Sequence, residues 1–306
     1  MSTSTPALSH VEVNGVRLAY RESGEGEPLV LVHGSLSDYR SWTAIEAKLS
    51  TNFHVYNYSR RFAWPNEPIQ DGEPQPWEQD SLDLAAFIGA LGIAPVHVLG
   101  NSAGAFVTIW LARTKPQLFR TLLLEEPPLI TLFLPSTPPS LLSVLSFMFW
   151  HPISFWPVMA FGATTIAPAT AYCKKGDYEL ALSTFGKGVL GPKFWPRVMA
   201  DVDRKRQIDD NSKPFCHFFR YNTMPKFLVE DARKIQIPTL VITGMEGPLS
   251  QQCIDAELMR VCGAKRKREV KIEGAGHAVH EDNPEQVFEE VVRFVFEDKA
   301  ARDRRP

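Results

Sequence analysis

Short apolar runs punctuate the chain, and between them apolar residues recur at helical spacing. Leu29-Val30-Leu31-Val32 is apolar without interruption, as a parallel strand covered on both faces must be. Phe53 to Tyr58, Val96 to Leu99, Thr121 to Leu124, Thr239 to Thr243 and Glu269 to Ile272 read as further strands. Helical patterns run from Trp42 to Leu49, Asp80 to Leu91, Ala105 to Lys115 (stopped by Pro116) and Gln286 to Phe296. Near the start, Val11-Glu12-Val13 and Val16 to Tyr20 flank Asn14-Gly15, the signature of a hairpin with a two-residue turn. Strands alternating with helices predict an α/β fold with a mostly parallel sheet.

One stretch breaks the rhythm. No Asp, Glu, Lys or Arg occurs between Glu126 and Lys174, and the segment is dense in Phe, Trp and Met. Pro135, Pro138, Pro139, Pro152 and Pro157 cut it into pieces too short to cross ~30 Å of hydrocarbon, so it predicts no integral membrane span. Short apolar helices forming a lid fit better. The predicted organisation is a core of residues 1–127 and 225–306 with a helical lid inserted at 128–224.

Gly100-Asn101-Ser102-Ala103-Gly104 joins the predicted strand at Val96 to the helix at Ala105. G-x-S-x-G at a strand-to-helix junction is a nucleophile elbow. The turn leaves no room for side chains at its flanks and pushes the serine hydroxyl into the open, beside the N–H donors of the helix start. A bland alternative makes Ser102 a helix cap. A serine hydroxyl needs a base within hydrogen-bond reach, and His277, in Gly274-Ala275-Gly276-His277 after the last strand, lies at the same sheet edge. His280 reads as a polar surface or supporting residue, and His10, His54, His97 and His217 as structural.

The order of hairpin, His33-Gly34-Ser35 after a strand, elbow, inserted lid and late Gly-His loop resembles the α/β-hydrolase superfamily over essentially the whole chain. The resemblance implies a Ser–His–acid triad with the histidine last, and an oxyanion hole made by the backbone amides of Ser35 and Ala103. It places Gly34 beside the substrate. Serine at the elbow departs from the dehalogenases and epoxide hydrolases of this fold, which attack with a carboxylate. Many members carry the acid as Asp in the turn after the strand matching Thr239–Thr243. Here that turn reads Gly244-Met245-Glu246-Gly247-Pro248, with Gly247 where the Asp belongs. Two candidates follow: Glu246 in that turn, and Glu126 at the end of Leu124-Glu125-Glu126-Pro127. Ser102 and Glu126 are similar in spacing to the nucleophile and acid of the fungal lactonases that open the zearalenone ring, although the lid is not similar. Glu126 is favoured, and strand alternation points Glu125 to the opposite face as a surface or ion-paired carboxylate.

Composition narrows the class. A formal net charge of -2 over 306 residues leaves no electrostatic footprint for nucleic acid. Cys173, Cys216, Cys253 and Cys262 lack metal-ligand or redox spacing and read as reduced core thiols. The polar N-terminus has no signal-peptide core, so a cytoplasmic location is expected. Tyr58 to Asn66 reads as a structural turn with paired arginines, and Lys265 to Arg268 as a solvated loop. The expected function is a serine esterase or lactonase without metal or organic cofactor, acting through an acyl-enzyme on Ser102. Its expected partner is a bulky apolar small molecule held by Trp150, Phe155 and Trp156 of the lid; the same side chains suit a homodimer contact. A non-hydrolytic or C–C-cleaving Ser–His enzyme and a ligand receptor of low turnover are the rivals.

Overall fold

The computed structural model describes residues 8–70, 72–73, 77–136, 139–221 and 225–302. Strands β1 (Ser9–Val13), β2 (Val16–Ser23), β3 (Glu27–Val32), β4 (Phe53–Tyr58), β5 (Val96–Asn101), β6 (Phe119–Glu125), β7 (Thr239–Gly244) and β8 (Lys267–Ile272) form one sheet. Their order is β1-β2-β4-β3-β5-β6-β7-β8. The β1–β2 hairpin pairs Val13 with Val16 around Asn14-Gly15, and β2 also runs antiparallel to β4. From β4 onward every pairing is parallel.

Register brings the chemistry to one edge. Val32 pairs with Gly100, Gly100 with Leu124, and Gly244 with Ile272. The C-terminal ends of β3, β5, β6, β7 and β8 therefore lie side by side, and the loops that leave them meet above the sheet, as expected for a parallel sheet.

Alternation assigns the strand residues to two apolar layers. Val30, Val32, Val98, Leu122, Leu124 and Val241 face α2 (Trp77–Ala90), α3 (Ala103–Thr114) and α11 (Leu249–Val261). Leu29, Leu31, Leu99, Leu123, Leu240 and Ile242 face α1 (Thr43–Leu49) and α13 (Pro284–Arg302). Both faces are covered, so the strands read as near-continuous apolar runs. Each buried Val or Leu side chain stabilises the fold by ~1.5–3 kcal/mol.

Between β6 and β7 the chain is helical: α4 (Leu141–Trp150), α5 (Pro152–Phe161), a π turn at Gly162–Ile166, α6 (Ala167–Lys175), α7 (Tyr178–Ala200), α8 (Val202–Asp210), α9 (Ser212–Tyr221) and α10 (Val229–Lys234). Gly191, at φ 83°, kinks α7 ahead of Pro192 and Pro196. The Asp201 carboxylate caps α8 by accepting the Asp203 and Arg204 amides. Among the described residues no helix is long and apolar enough to cross a membrane.

Apolar composition proves a poor guide to direction here. Phe147 is the buried residue of α4; it stacks on Phe133 at 4.7 Å and meets Phe155 of α5 at 5.4 Å, while α5 packs against α11. This docking seats the two helices on the β6–β7 side of the molecule. Leu141, Leu142, Phe149, Trp150, Ile153 and Trp156 point to solvent.

Candidate active site

Ser102 sits between β5 and α3 with φ 51° and ψ −118°, a backbone conformation that costs a non-glycine residue ~1–3 kcal/mol. Its neighbours hold it there. The Ser102 amide donates to the Glu125 carbonyl at 2.8 Å, and the Phe106 amide donates to the Ser102 carbonyl at 3.0 Å. The flanking glycines are steric necessities: a Cβ on Gly104 would lie 2.1 Å from the Val32 carbonyl oxygen, and one on Gly100 would lie 2.8 Å from the Ala105 nitrogen.

Gly34 approaches the elbow from β3. A Cβ there would come within 3.3 Å of the Ser102 Cβ and 2.7 Å of Asn101 Oδ1. The loop Gly34-Ser35 is braced from behind. Arg60 donates from Nε to the His33 carbonyl and from a terminal nitrogen to the Gly34 carbonyl, at 3.1 and 2.9 Å, and its other terminal nitrogen pairs with Asp80 at 2.6 Å. His33 Nε2 accepts the Arg60 amide at 2.9 Å, which assigns the ring proton to Nδ1, facing the Gly34 carbonyl. Burial, helped by the Arg60 charge, holds His33 well below the ordinary imidazole range, so it stays neutral. Arg61 pairs with Asp83 at 2.6 Å. The turn after β4 is tied down by these ion pairs and braces the loop carrying Ser35, and its Arg60, Arg61 and Ala63 also line a cavity beside that loop.

Glu126 leaves β6 at φ 46° and is wholly buried. Its Oε2 takes the His277 Nδ1–H at 2.5 Å and its Oε1 takes the Gly244 amide at 2.8 Å. Burial pushes the Glu126 carboxyl above the ordinary range, and these two hydrogen bonds pull against that shift. His277 itself is buried, and Asn101 Nδ2 holds its carbonyl at 3.1 Å. Glu246 goes elsewhere: its carboxylate pairs with Lys193. Gly247 sits so close that a Cβ there would be 3.4 Å from Glu126 Oε1.

Ser102 and His277 open onto one cavity with Ser35, Asn101 and His280. Its apolar wall comes from Leu36, from Phe185, Val189, Leu190, Trp195 and Val198 of α7, and from Ile208 of α8. A second cleft shares Ser35, Leu36 and Ser37, and is lined by Ala103, Trp77, Phe215 and Phe218 together with Arg60, Arg61 and Asp80. Trp150, Phe155 and Trp156 line neither: Phe155 packs under α4, while Trp150 and Trp156 are 71% and 72% exposed. The side chains expected from the lid aromatics are supplied by α7 and α8 instead, a stretch whose interspersed Lys and Gly residues hid its apolar face.

Glu125 and His280 resolve to the ion-paired and supporting alternatives, not the surface ones. Both are buried, with His280 Nδ1 on Glu125 Oε2 at 2.6 Å. Consecutive glutamates thus reach two histidines three residues apart. His97 is braced by Thr121 at 2.7 Å and Glu27 at 2.8 Å, and Cys173, Cys216 and Cys262 are buried free thiols. Among the described residues no group of three or more His, Cys, Asp or Glu is arranged to hold a metal ion.

Comparison with known proteins follows the same lines. The alpha/beta hydrolase family model matches residues 29–290. N-formylmaleamate deformylase of Pseudomonas putida is 31% identical over 123 residues, which is 40% of this chain and 46% of that protein, so the match spans under half of the relative's length. An esterase from Thermogutta terrifontis superposes with a TM-score of 0.71 at 18% identity, covering 95% of this chain and 98% of its own. An enol-lactonase from Burkholderia xenovorans superposes with a TM-score of 0.72 at 18% identity, covering 94% and 100%.

Proposed function

The chain belongs to the alpha/beta hydrolase family, and from that premise we propose that it is a serine hydrolase that cleaves a carboxylic ester or lactone of a bulky apolar substrate. The observation that carries the reading is the buried Glu126–His277 pair, at 2.5 Å, opening onto the same cavity as a strained elbow serine. With its Nδ1–H held by Glu126, the His277 ring, which lines the cavity, offers Nε2 as the base. Ser102 Oγ attacks the substrate carbonyl as its proton passes to Nε2, and the Glu126 carboxylate stabilises the imidazolium that forms. The Ser35 and Ala103 amides hold the developing oxyanion, with Arg60 keeping the Ser35 loop in place. Collapse releases the alcohol, which takes the proton from His277. Water then attacks the acyl-enzyme with His277 again as base, and Ser102 is regenerated.

The apolar wall supports a large hydrophobic group: burial there contributes ~25 cal/mol for each Å² removed from water. The inserted helices α7 and α8 act as the lid of this site. Turnover of p-nitrophenyl butyrate, together with covalent capture by a fluorophosphonate mapped to Ser102, tests the reading. Ser102→Ala is expected to fold, to escape labelling and to lose kcat by ~10³-fold or more. Near-wild-type turnover by Ser102→Ala would end the covalent mechanism.

A further inference from the structure

The hydrolytic steps leave one wall of the cavity unused. His280 is 1% exposed, its Nδ1 engaged by Glu125 and its ring stacked on Trp42 with centroids 3.9 Å apart. Its other nitrogen, Nε2, is buried without a partner, yet the ring lines the cavity that holds Ser102. Ser41 lines the same cavity, and its buried Oγ also has no partner. Two orphaned polar atoms on one wall of a binding cavity are uncommon enough to demand an explanation.

The chemistry restricts what can satisfy them. Glu125 occupies the Nδ1 side of the ring, so the partner sought is one for Nε2, and an alcoholic hydroxyl can meet Nε2 as donor or as acceptor. The Ser41 hydroxyl, on a residue lining the same cavity, can donate as well as accept. A carbonyl or a carboxylate can only accept, whereas a hydroxyl meets both groups in either role. Charge points the same way: Arg204 on this cavity is already paired with Glu281, and Glu125 lies directly behind His280. An anionic group would meet two carboxylates against one guanidinium.

We propose that His280 Nε2 and Ser41 Oγ form a subsite for an alcoholic hydroxyl of the substrate, so that the ester or lactone cleaved at Ser102 is a neutral, hydroxylated one. Trp42 and Glu125 fix the ring in place, and the apolar wall of α7 takes the hydrocarbon around the hydroxyl. This inference rests on the serine-hydrolase reading above.

The test compares p-nitrophenyl esters that differ by one group: hexanoate with 3-hydroxyhexanoate, cyclohexanecarboxylate with its trans-4-hydroxy and trans-4-methoxy derivatives, and the anionic monoester of adipate. At least one hydroxylated ester is expected to exceed its parent in kcat/KM by about tenfold, the gain from one or two good hydrogen bonds, with the methoxy ester near the parent. Within Ser41→Ala, and within His280→Phe, the hydroxyl-to-parent ratio is expected to fall to about one. A ratio taken inside one variant cancels any general loss of activity. If His280→Phe fails to fold because Glu125 is left buried and unpaired, Ser41→Ala reports the same ratio. Parents that are hydrolysed with no preference for hydroxyl, a preference for the adipate monoester, or a ratio unchanged in Ser41→Ala each overturn the subsite. No turnover of any ester, with Ser102 unlabelled by the fluorophosphonate, would instead overturn the hydrolase reading.

Discussion

Replacing Glu126 with Gln keeps the side chain's shape and removes its charge, and the surrounding hydrogen bonds decide which way the new amide faces. Glu126 Oε1 accepts the Gly244 amide at 2.8 Å while Oε2 accepts the His277 Nδ1–H at 2.5 Å. An amide has one acceptor end. If its oxygen stays on Gly244, its NH₂ points at His277 Nδ1. The ring must then accept at Nδ1 and carry its proton on Nε2, which leaves no base for the Ser102 hydroxyl. If the amide flips, its NH₂ faces the Gly244 N–H, and two buried donors confront each other at a cost of ~1–3 kcal/mol. The unproductive tautomer is therefore favoured by roughly 10- to 100-fold. The lost carboxylate also no longer stabilises the imidazolium, and the combined fall in kcat is expected to be ~10³–10⁴-fold.

The fold should tolerate the change. Burial pushes the Glu126 carboxyl up, so a neutral group relieves desolvation and the Tm is expected to hold or rise. Glu246→Gln is the control. That carboxylate pairs with Lys193 at the surface, where an ion pair contributes ~0–1 kcal/mol, and kcat is expected to stay within about twofold. The assay is kcat for p-nitrophenyl butyrate at fixed pH with thermal unfolding of each variant. Glu126→Gln within tenfold of wild type, or a larger loss in Glu246→Gln, refutes the assignment of the acid.

Two further predictions follow from buried and cavity-lining groups. Asp255 is wholly buried, and burial together with the nearby Glu126 charge holds its carboxyl well above the ordinary range. A group so shifted contributes stability that is complete below the unfolded value near pH 3.9 and is lost as the pH rises toward the raised folded value; Asp255→Asn, which keeps partners for Thr243 and Gln251, is expected to raise the Tm by ~2–4 °C at pH 8 and not at pH 4, and a lower Tm at pH 8 contradicts this. Trp195→Ala is expected to lower kcat/KM for large aromatic esters by about tenfold more than for acetate, while Trp156→Ala changes neither; equal effects of the two variants would remove α7 from the substrate wall.

Steric and periodic signals made most of the frame legible. The Asn14-Gly15 hairpin, the strand from Phe53 to Tyr58 and the elbow at Ser102 follow from local rules: a two-residue turn, an apolar run, glycines where no Cβ fits. What escaped the sequence depends on direction. The charge-free run of α4 and α5 is apolar on nearly every side, so composition could not say which residues face inward, and the docking of Phe147 and Phe155 turned the others outward. The true wall lies in α7, where Gly186 leaves room for Trp195; a Cβ there would overlap the indole ring at 2.0 Å. Glu125 came out as the ion-paired carboxylate that alternation allowed, but nothing in the sequence named His280 as its partner.

In the proposed triad the acid comes from the end of β6, beside the turn that follows β7. Many relatives of this fold place a carboxylate in the turn after β7. In this chain that turn keeps its path, with the Met245 and Glu246 amides bonded to the Ile272 and Ala275 carbonyls, and so it still supports the loop that carries His277. Residue 247 of that turn is a glycine. A Cβ at Gly247 would stand 3.4 Å from Glu126 Oε1, so any carboxylate built there would crowd a second buried charge against the first. The Gly244 amide meanwhile turns toward Glu126 and helps hold its charge. Glu126 and Gly247 are therefore one solution written at two positions: the acid reaches His277 from β6 because the β7 turn leaves the space open and keeps a donor in it. The positive φ of Glu126 completes the arrangement, since only by leaving the strand does its carboxylate come to His277 while Glu125 goes to His280.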